Sequence, residues 1–187
     1  MSIDANAIEN STLTLAETEK ILQQIDLDRY ISEREIFEAK NLARVVSYIE
    51  KKSKEHELDF EIILSLHKML LSNIRDDAAG RFRKEKEWVR VGNHIASSPD
   101  EIEERLEKML IEYNSKNNQN IIKKIALFHL TFENIHPFID GNGRIGRVLN
   151  NYLLLRDGYV PINIKFIDRK LYYEAFEEFN RSRATGI

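Results

Sequence analysis

A glycine-rich break between two helical patterns is the feature that most constrains this chain. Residues 136–147 read HPFIDGNGRIGR, and four of the seven glycines lie between Gly141 and Gly158. Residues 120–135 before the break and residues 145–153 after it carry apolar side chains at the three- and four-residue spacing of an α-helix. Glycine lets the backbone turn tightly, so the sequence predicts two helices joined by a short loop.

The remainder of the chain also has the pattern of a helical protein. Serine or threonine followed three residues later by glutamate predicts helix starts at Thr14, Ser32 and Ser98. Asp168 is expected to cap a final helix that has an apolar inner side. Core positions are predicted for Tyr152 and Phe166 and, on that final helix, for Leu171, Ala175, Phe176 and Phe179.

One segment departs from the helical pattern. Residues 80–96, which we call the flap segment, contain the short β-prone run Trp88–Val91 between Gly80 and Gly92. This pattern predicts a hairpin that projects from the helical body, and a simple surface loop is the alternative. We therefore expect a mainly α-helical single domain with a small β-hairpin.

Composition narrows the classes of protein. With 187 residues, 42% hydrophobic and 32% charged, the chain has the size and balance of one globular domain. The net charge of −3 argues against broad binding to nucleic acid or to an anionic membrane. Cysteine is absent, which excludes disulfides and thiolate zinc sites, and we expect a cytoplasmic location. The sequence contains neither an apolar run of membrane-spanning length nor a signal-peptide pattern.

The glycine-rich break has the residues of an anion site. Gly141, Asn142 and Gly143 can present backbone N–H groups, and the following helix adds its positive N-terminal end. Arg144 and Arg147 can then bind phosphate oxygens through planar guanidinium groups. A Gly-Asn-Gly turn alone is usually just a turn, and the two arginines are what favour a phosphate site.

A carboxylate and a histidine precede the glycines. Asp140 could hold Mg²⁺ together with phosphate oxygens, although a turn or helix-capping role is the alternative. His136 could accept a hydroxyl proton near neutral pH. Phe138 is most simply a core anchor. His129 and Glu133 share a helical face with His136, but we disfavour a zinc site there because no further ligands cluster with them.

Residues 136–147 match the signature His-Pro-Phe-x-Asp/Glu-Gly-Asn-Gly-Arg-x-x-Arg, so the chain resembles the Fic-domain AMP transferases. Residues 80–83 and 88–92 resemble the segment leading into that family's flap hairpin, and residues 97–102 resemble the helix start that follows it. The resemblance covers nearly all of residues 7–182. It implies a Fic-like catalytic domain over residues 27–187, preceded by an inhibitory helix region over residues 1–26.

The resemblance also implies an activity and roles for matching residues. AMP would pass from ATP, with Mg²⁺ or Mn²⁺, to a serine, threonine or tyrosine hydroxyl of a target protein or of the chain itself. His136 would be the base and Asp140 the metal ligand, while the phosphates would be bound by Gly141, Asn142, Gly143, Arg144 and Arg147. Val89 would close over the nucleotide, and the flap would dock the target by strand addition. Tyr173 and Asn180 fall at positions resembling the adenine pocket, with packing an equal alternative for Tyr173.

Residues 7–10, AIEN, resemble the family's autoinhibitory motif Ser/Thr-x-x-x-Glu-Gly/Asn. Glu9 and Asn10 match, and Ala5 stands where serine or threonine is expected, so we expect a leaky brake in which Glu9 pairs with Arg147. Two alternatives remain open: a hydrolase that uses Glu9 to remove AMP from its target, and a nucleotide-sensing interaction domain with little turnover. Assembly into a homo-oligomer also stays open.

Overall fold

Helices form most of this protein in the computed structural model, which describes residues 14–23, 31–91, 94–115 and 120–185. Within those ranges the α-helices are α1 (Leu15–Leu22), α2 (Glu33–Lys52), α3 (Phe60–Leu71), α4 (Ile102–Asn114), α5 (Ile121–Ile135), α6 (Asn142–Arg156) and α7 (Arg169–Thr185). The mainly α-helical class expected from the sequence is confirmed. None of the helices in the described ranges is both long and apolar enough to cross a membrane.

Two of the three predicted capping boxes are present. Thr14 and Ser32 each accept a hydrogen bond from the backbone N–H three residues on, and the glutamates at those positions bond back. Ser98 precedes a helical turn as predicted, but it forms no capping box. Its hydroxyl donates to the nearby Asp100 carboxylate instead, and residues Pro99–Glu101 form a 3₁₀ turn before α4 begins at Ile102.

The main core lies between α2, α3, α4, α5 and α6. Helices α5 and α6 pack closely against each other, while α2 packs on both α3 and α6. Phe132, Phe138 and Tyr152 are among the largest fully buried side chains, which confirms the core positions predicted for Phe138 and Tyr152. A smaller apolar cluster of Ile21, Ile31 and Ala39 lies where α1 meets α2.

The inner side predicted for the final helix is partly wrong. Helix α7 begins at Arg169, directly after the expected cap Asp168, but Leu171 is 68% exposed and Ala175 is also exposed. Phe176 lies on the inner side as predicted and, with Tyr172 four residues earlier, faces His129 on α5, with ring centroids 5.7 Å from the imidazole. Because α7 contacts the bundle along a narrow strip, fewer apolar positions are covered than the pattern indicates. Phe166, expected in the core, is 41% exposed.

The flap segment contains the predicted hairpin, which is short. Strand β1 (Arg90–Val91) pairs antiparallel with β2 (His94–Ile95), Arg90 opposite Ile95. The Ala96 N–H extends the pairing by donating to the Val89 carbonyl over 3.1 Å. Trp88 and Ile95 are 61% and 57% exposed, so the hairpin projects from the helical body.

Candidate active site

The glycine-rich motif forms a tight loop, residues 136–141, between the end of α5 and the start of α6. We call it the motif loop. His136 ends α5 in the left-handed conformation, with φ 51° and ψ 61°, and Gly141 starts α6 with φ 80° and ψ 5°. Glycine adopts that conformation without strain, whereas a histidine there is uncommon and needs support from its surroundings. The two left-handed positions turn the chain back so that the motif loop sits at the N-terminus of α6.

Asn142 fixes the shape of the motif loop from inside. Its Oδ1 accepts from the Phe138 N–H at 2.9 Å and its Nδ2 donates to the Phe138 carbonyl at 2.8 Å. The side chain is buried and both of its polar atoms are used. Because the side-chain atoms are used in this way, the phosphate contact expected of Asn142 would be made by its backbone N–H.

The first turn of α6 is arranged to receive an anion. The Ile145 N–H donates to the Gly141 carbonyl at 3.0 Å, which is the hydrogen bond of the first helical turn. The N–H groups of Asn142, Gly143 and Arg144 come before this bond, at the open end of the helix. The positive end of a 15-residue helix lies at the same point. Arg144 and Arg147 lie on this helix and are both buried. A negatively charged ligand at the N-terminus of α6 would meet backbone donors and a strong positive field.

Asp140 lies in a cluster of opposite charges. Its Oδ1 is 3.5 Å from Nη2 of Arg144 and its Oδ2 is 3.8 Å from Nη2 of Arg34. Glu38 on α2 completes the cluster, with Oε1 3.3 Å from Nη1 of Arg144 and 3.1 Å from Nε of Arg34. Sequence reasoning missed Glu38. The available signal was its position in line with the buried stripe Leu42, Val45 and Ile49 of α2.

The residues present fit a metal ion that is shared with a bound phosphate. Within the described ranges, no three histidine, aspartate or glutamate side chains are grouped closely enough to enclose a cation. The side chain of Asp140 is 28% exposed beside the anion-binding turn, and one carboxylate with phosphate oxygens and water is how Mg²⁺ is commonly bound. The disfavoured zinc alternative finds no support, since His129 Nε2 is 2.8 Å from the Tyr172 hydroxyl.

His136 is placed to act at the mouth of this site. Its side chain is 16% exposed, and its Nδ1 lies 3.9 Å from Oε2 of Glu133, one helical turn earlier. That distance is too long for a hydrogen bond, but it places a carboxylate next to the imidazole. The arrangement suits a histidine that takes up a proton during a reaction.

His67 on α3 supports the motif loop and was missed from the sequence. The Gly80 N–H donates to its Nδ1 at 3.0 Å, so Nε2 carries the proton and donates to the Asp140 carbonyl, also at 3.0 Å. The imidazole stacks on Phe138 with centroids 3.6 Å apart and planes 7° apart. Burial lowers the pKa of His67 to about 4, which keeps it in the neutral form that makes both bonds. The only signal was a histidine within the apolar stripe of α3.

The remaining predicted residues lie on the flap segment and on α7. Asn180 is near the end of α5, where its Oδ1 accepts from Nδ2 of Asn134 at 2.6 Å. Tyr173 is 50% exposed, with its ring 5.5 Å from that of Tyr172. Val89 precedes β1 on the flap segment. The proposed brake residue Glu9, with Ala5 and Asn10, lies outside the described residues.

This fold and loop define a class of protein: a helical domain in which a histidine and a carboxylate lie in the loop before a glycine-rich helix N-terminus. The sequence model of the Fic/DOC family matches residues 57–154, just over half of the chain. The chain therefore belongs to the Fic/DOC family.

Relatives and solved structures agree. Protein adenylyltransferase Fic of Nematostella vectensis is 32% identical over 180 residues, which are 94% of this chain and 42% of the relative. The protein of the same name from Drosophila melanogaster is 35% identical over 172 residues, 89% of this chain and 34% of the relative. The chain thus spans less than half the length of these curated relatives.

Two solved structures share the fold. One is a Fic domain containing signalling protein from Bacteroides thetaiotaomicron, with a TM-score of 0.84, 26% identity, and coverage of 93% of this chain and 68% of that one. The other is Fic-1 from C. elegans, with a TM-score of 0.83, 30% identity, and coverage of 95% and 53%.

Proposed function

We propose that this chain transfers AMP from ATP to a hydroxyl group of a target protein. The observation that carries the proposal is the motif loop, which puts His136 and Asp140 beside the N-terminus of α6 and its two buried arginines. The names of the Nematostella and Drosophila relatives support the same reaction. Membership of the Fic/DOC family supports the general class of reaction, and the roles of the individual residues are part of the proposal.

The proposed reaction follows from these positions. The N–H groups of residues 142–144 bind phosphate oxygens, while Arg144 and Arg147 bind the outer phosphates. His136 takes the proton of the target hydroxyl as the hydroxyl oxygen bonds to the α-phosphorus. The bond from that phosphorus to the β-bridging oxygen breaks, and pyrophosphate leaves. Mg²⁺ or Mn²⁺, bound by Asp140 and phosphate oxygens, would supply further neutralisation of the developing charge.

Binding of the nucleoside and the target is proposed for the flap segment and α7. Tyr173, with its half-exposed ring, and Asn180 would bind adenine, and Val89 would close over the nucleotide. A two-stranded hairpin leaves an edge to which a target strand can be added, and its exposed Trp88 and Ile95 offer apolar contacts. Serine, threonine or tyrosine would be modified in the target, and a similar residue of the chain itself in self-modification.

The N-terminal residues are proposed to act as a brake. Residues 1–26 would form an inhibitory region in which Glu9 pairs with Arg147, and residues 27–187 would form the catalytic domain. A carboxylate on that guanidinium competes with the triphosphate for the same donors. The substitution of Ala5 for the expected hydroxyl residue makes this brake leaky.

The experiment follows the label of α-labelled ATP onto the protein itself, with Mg²⁺ and separately with Mn²⁺. All chains carry Glu9→Gly so that the brake does not hide activity. We expect His136→Ala to lower labelling by roughly 10²-fold or more while the Kd for ATP stays the same. His56→Ala is the matched control, because His56 is an exposed histidine that is distant in sequence from the motif loop. This variant should be labelled as strongly as the chain that carries Glu9→Gly alone.

Two results would contradict the proposal. Equal labelling in His136→Ala would remove the base from the reaction. Binding of ATP without label in any chain would favour the hydrolase or the nucleotide sensor over the transferase.

A further inference from the structure

Arg83 is a buried arginine that the reaction above does not use. It lies near the start of the flap segment, in the run GRFR, and is 4% exposed. Among the described residues no carboxylate forms an ion pair with it. Since an arginine is costly to bury without compensation, its hydrogen-bond partners should reveal why it is there.

On one side Arg83 closes the base of the flap segment. Its Nη1 donates to the Glu87 carbonyl at 2.9 Å and its Nη2 donates to the Ser97 carbonyl at 2.7 Å. Ser97 directly follows the last residue of the flap segment. The guanidinium therefore joins the two ends from which the hairpin projects.

On the other side Arg83 binds the motif loop. Its Nε donates to the His136 carbonyl at 2.8 Å, and Nη2 also donates to the Ile135 carbonyl at 3.3 Å. The backbone N–H of Arg83 donates to the Pro137 carbonyl at 2.9 Å. These carbonyls lie at the C-terminal end of α5, where the helix dipole and the free carbonyl groups favour a positive charge. Burial lowers the pKa of Arg83, and these carbonyl dipoles offset the loss of water around its charge.

We propose that Arg83 is a positioning residue that fixes His136 relative to the flap segment. His136 has the uncommon left-handed backbone conformation, and the bond from Arg83 to its carbonyl helps to maintain it. A target strand docked on the flap presents its hydroxyl at a place set by the hairpin. The guanidinium of Arg83 fixes the two ends from which the hairpin projects. It also fixes the backbone of His136, the general base that must reach this hydroxyl. The functional consequence rests on the transferase activity proposed above.

The test compares Arg83→Lys and Arg83→Gln with Arg81→Gln, all with Glu9→Gly. Lysine keeps the charge but loses the rigid fork that reaches several carbonyls at once. Arg81 is a matched control because it bonds to Glu87, Asp77 and Phe82 but not to the motif loop. We expect Arg83→Lys to lower the kcat of AMP transfer by roughly 10- to 100-fold. The Kd for ATP should stay within about twofold, as a misplaced base alters the reaction and leaves binding intact. Arg81→Gln should keep its kcat within about threefold.

A second readout does not need activity. Trp88 is the only tryptophan of the chain and lies on the flap segment, so its fluorescence anisotropy reports the mobility of the hairpin. We expect lower Trp88 anisotropy in Arg83→Lys, together with a shifted NMR signal from the His136 ring. Thermal melting shows which variants are folded. If Arg83→Gln is unfolded, the comparison is made with Arg83→Lys alone.

The proposal is overturned by a wild-type kcat in folded Arg83→Lys, by a loss confined to ATP binding, or by an equal loss of kcat in Arg81→Gln. An absence of AMP transfer in every chain would instead defeat the proposed function. In that case unchanged Trp88 anisotropy and an unshifted His136 signal would overturn the role of Arg83 as well, and changes in both would support it.

Discussion

The side chains of His67 and Asn142 hold the motif loop in shape, while the backbone N–H of Asn142 is the group proposed to bind phosphate. His67 binds the backbone of Asp140, and Asn142 binds the backbone of Phe138 from the other side of the same loop. Both side chains are buried. The orientation of Asp140 and His136 therefore depends on residues whose own polar atoms are already used within the fold.

The neutral state of His67 makes the stability of the fold depend on pH. Burial lowers the pKa of His67 to about 4, while burial and the charge of Arg147 lower the pKa of His129 to about 3. Below the ordinary pKa of 6.5 the unfolded chain binds these protons first. This contribution to stability is therefore complete above about pH 6.5 and is lost as the pH falls toward 4. For His67 it is about 3–4 kcal/mol at most, at about 1.4 kcal/mol per pKa unit.

Urea unfolding of the wild type and of His67→Gln at pH 7 and pH 5 measures this effect. We expect the free energy of unfolding of the wild type to fall more between these pH values than that of His67→Gln. His56→Gln, at an exposed histidine, should keep the wild-type difference. An unchanged pH dependence in His67→Gln would mean that the pKa of His67 is the same in the folded and the unfolded chain.

The sequence predicted the loop between α5 and α6 but not the residues that support it. Residues 136–147 are contiguous, so their spacing could be read directly. The supporting contacts connect residues that are far apart in the chain: 73 residues for His67 and Asp140, 106 for Glu38 and Arg144, and 53 for Arg83 and His136. Two of these three contacts end on backbone carbonyls. Such contacts leave no complementary pair of side chains in the sequence.

At the scale of helices and strands, the periodic pattern predicted α5 and α6 well because both bury a wide apolar stripe. It also predicted α7, but only part of the expected apolar side is covered there: Phe176 and Tyr172 pack against His129, while Leu171 is exposed. In the β-prone run Trp88–Val91, strand β1 covers Arg90–Val91, and the bond from the Ala96 N–H extends the pairing to Val89. A β-prone run indicates where pairing starts, but the partner strand decides its length.

The capping boxes give a direct test at this scale. Ser32→Ala removes the bond to the Glu35 N–H at the start of α2 and should lower the free energy of unfolding by about 1 kcal/mol. Ser98→Ala is the matched control, since Ser98 makes no capping bond, and its effect should be smaller. Urea unfolding at pH 7 measures both. An equal loss in Ser98→Ala would show that the 3₁₀ turn before α4 depends on that hydroxyl as much as α2 depends on its cap.

At the scale of the whole molecule, the candidate site collects groups from several parts of the chain. Helix α2 supplies Arg34 and Glu38, α3 supplies His67, and α6 supplies Arg144 and the anion-binding turn. The proposed brake would add the N-terminal residues to this assembly. Each of these helices contributes to the site a charged group or a hydrogen bond that the residues next to the motif in sequence could not supply.

The brake is tested by Glu9→Gly. If the bond of Glu9 to Arg147 is worth about 1.5–3 kcal/mol, its loss should raise AMP incorporation roughly 10- to 100-fold. Asp4→Gly removes one negative charge from the same N-terminal segment and should leave incorporation near the wild-type level. The measurement is the initial rate of label uptake from α-labelled ATP. A rate in Glu9→Gly equal to that of the wild type would exclude the brake.

The hydrogen bonds of Arg83 are sensitive to substitution of Arg83 itself but not to substitution of the residues that accept them. Its acceptors are all main-chain carbonyls, and every amino acid carries one. A codon change at Glu87, Ser97 or Ile135 can alter the side chain and still leave the acceptor in place. A change at Arg83 removes every bond of its guanidinium at once. In random mutagenesis of the junction between flap segment and motif loop, these bonds should therefore be lost through changes at Arg83 and kept through changes at Glu87 or Ser97.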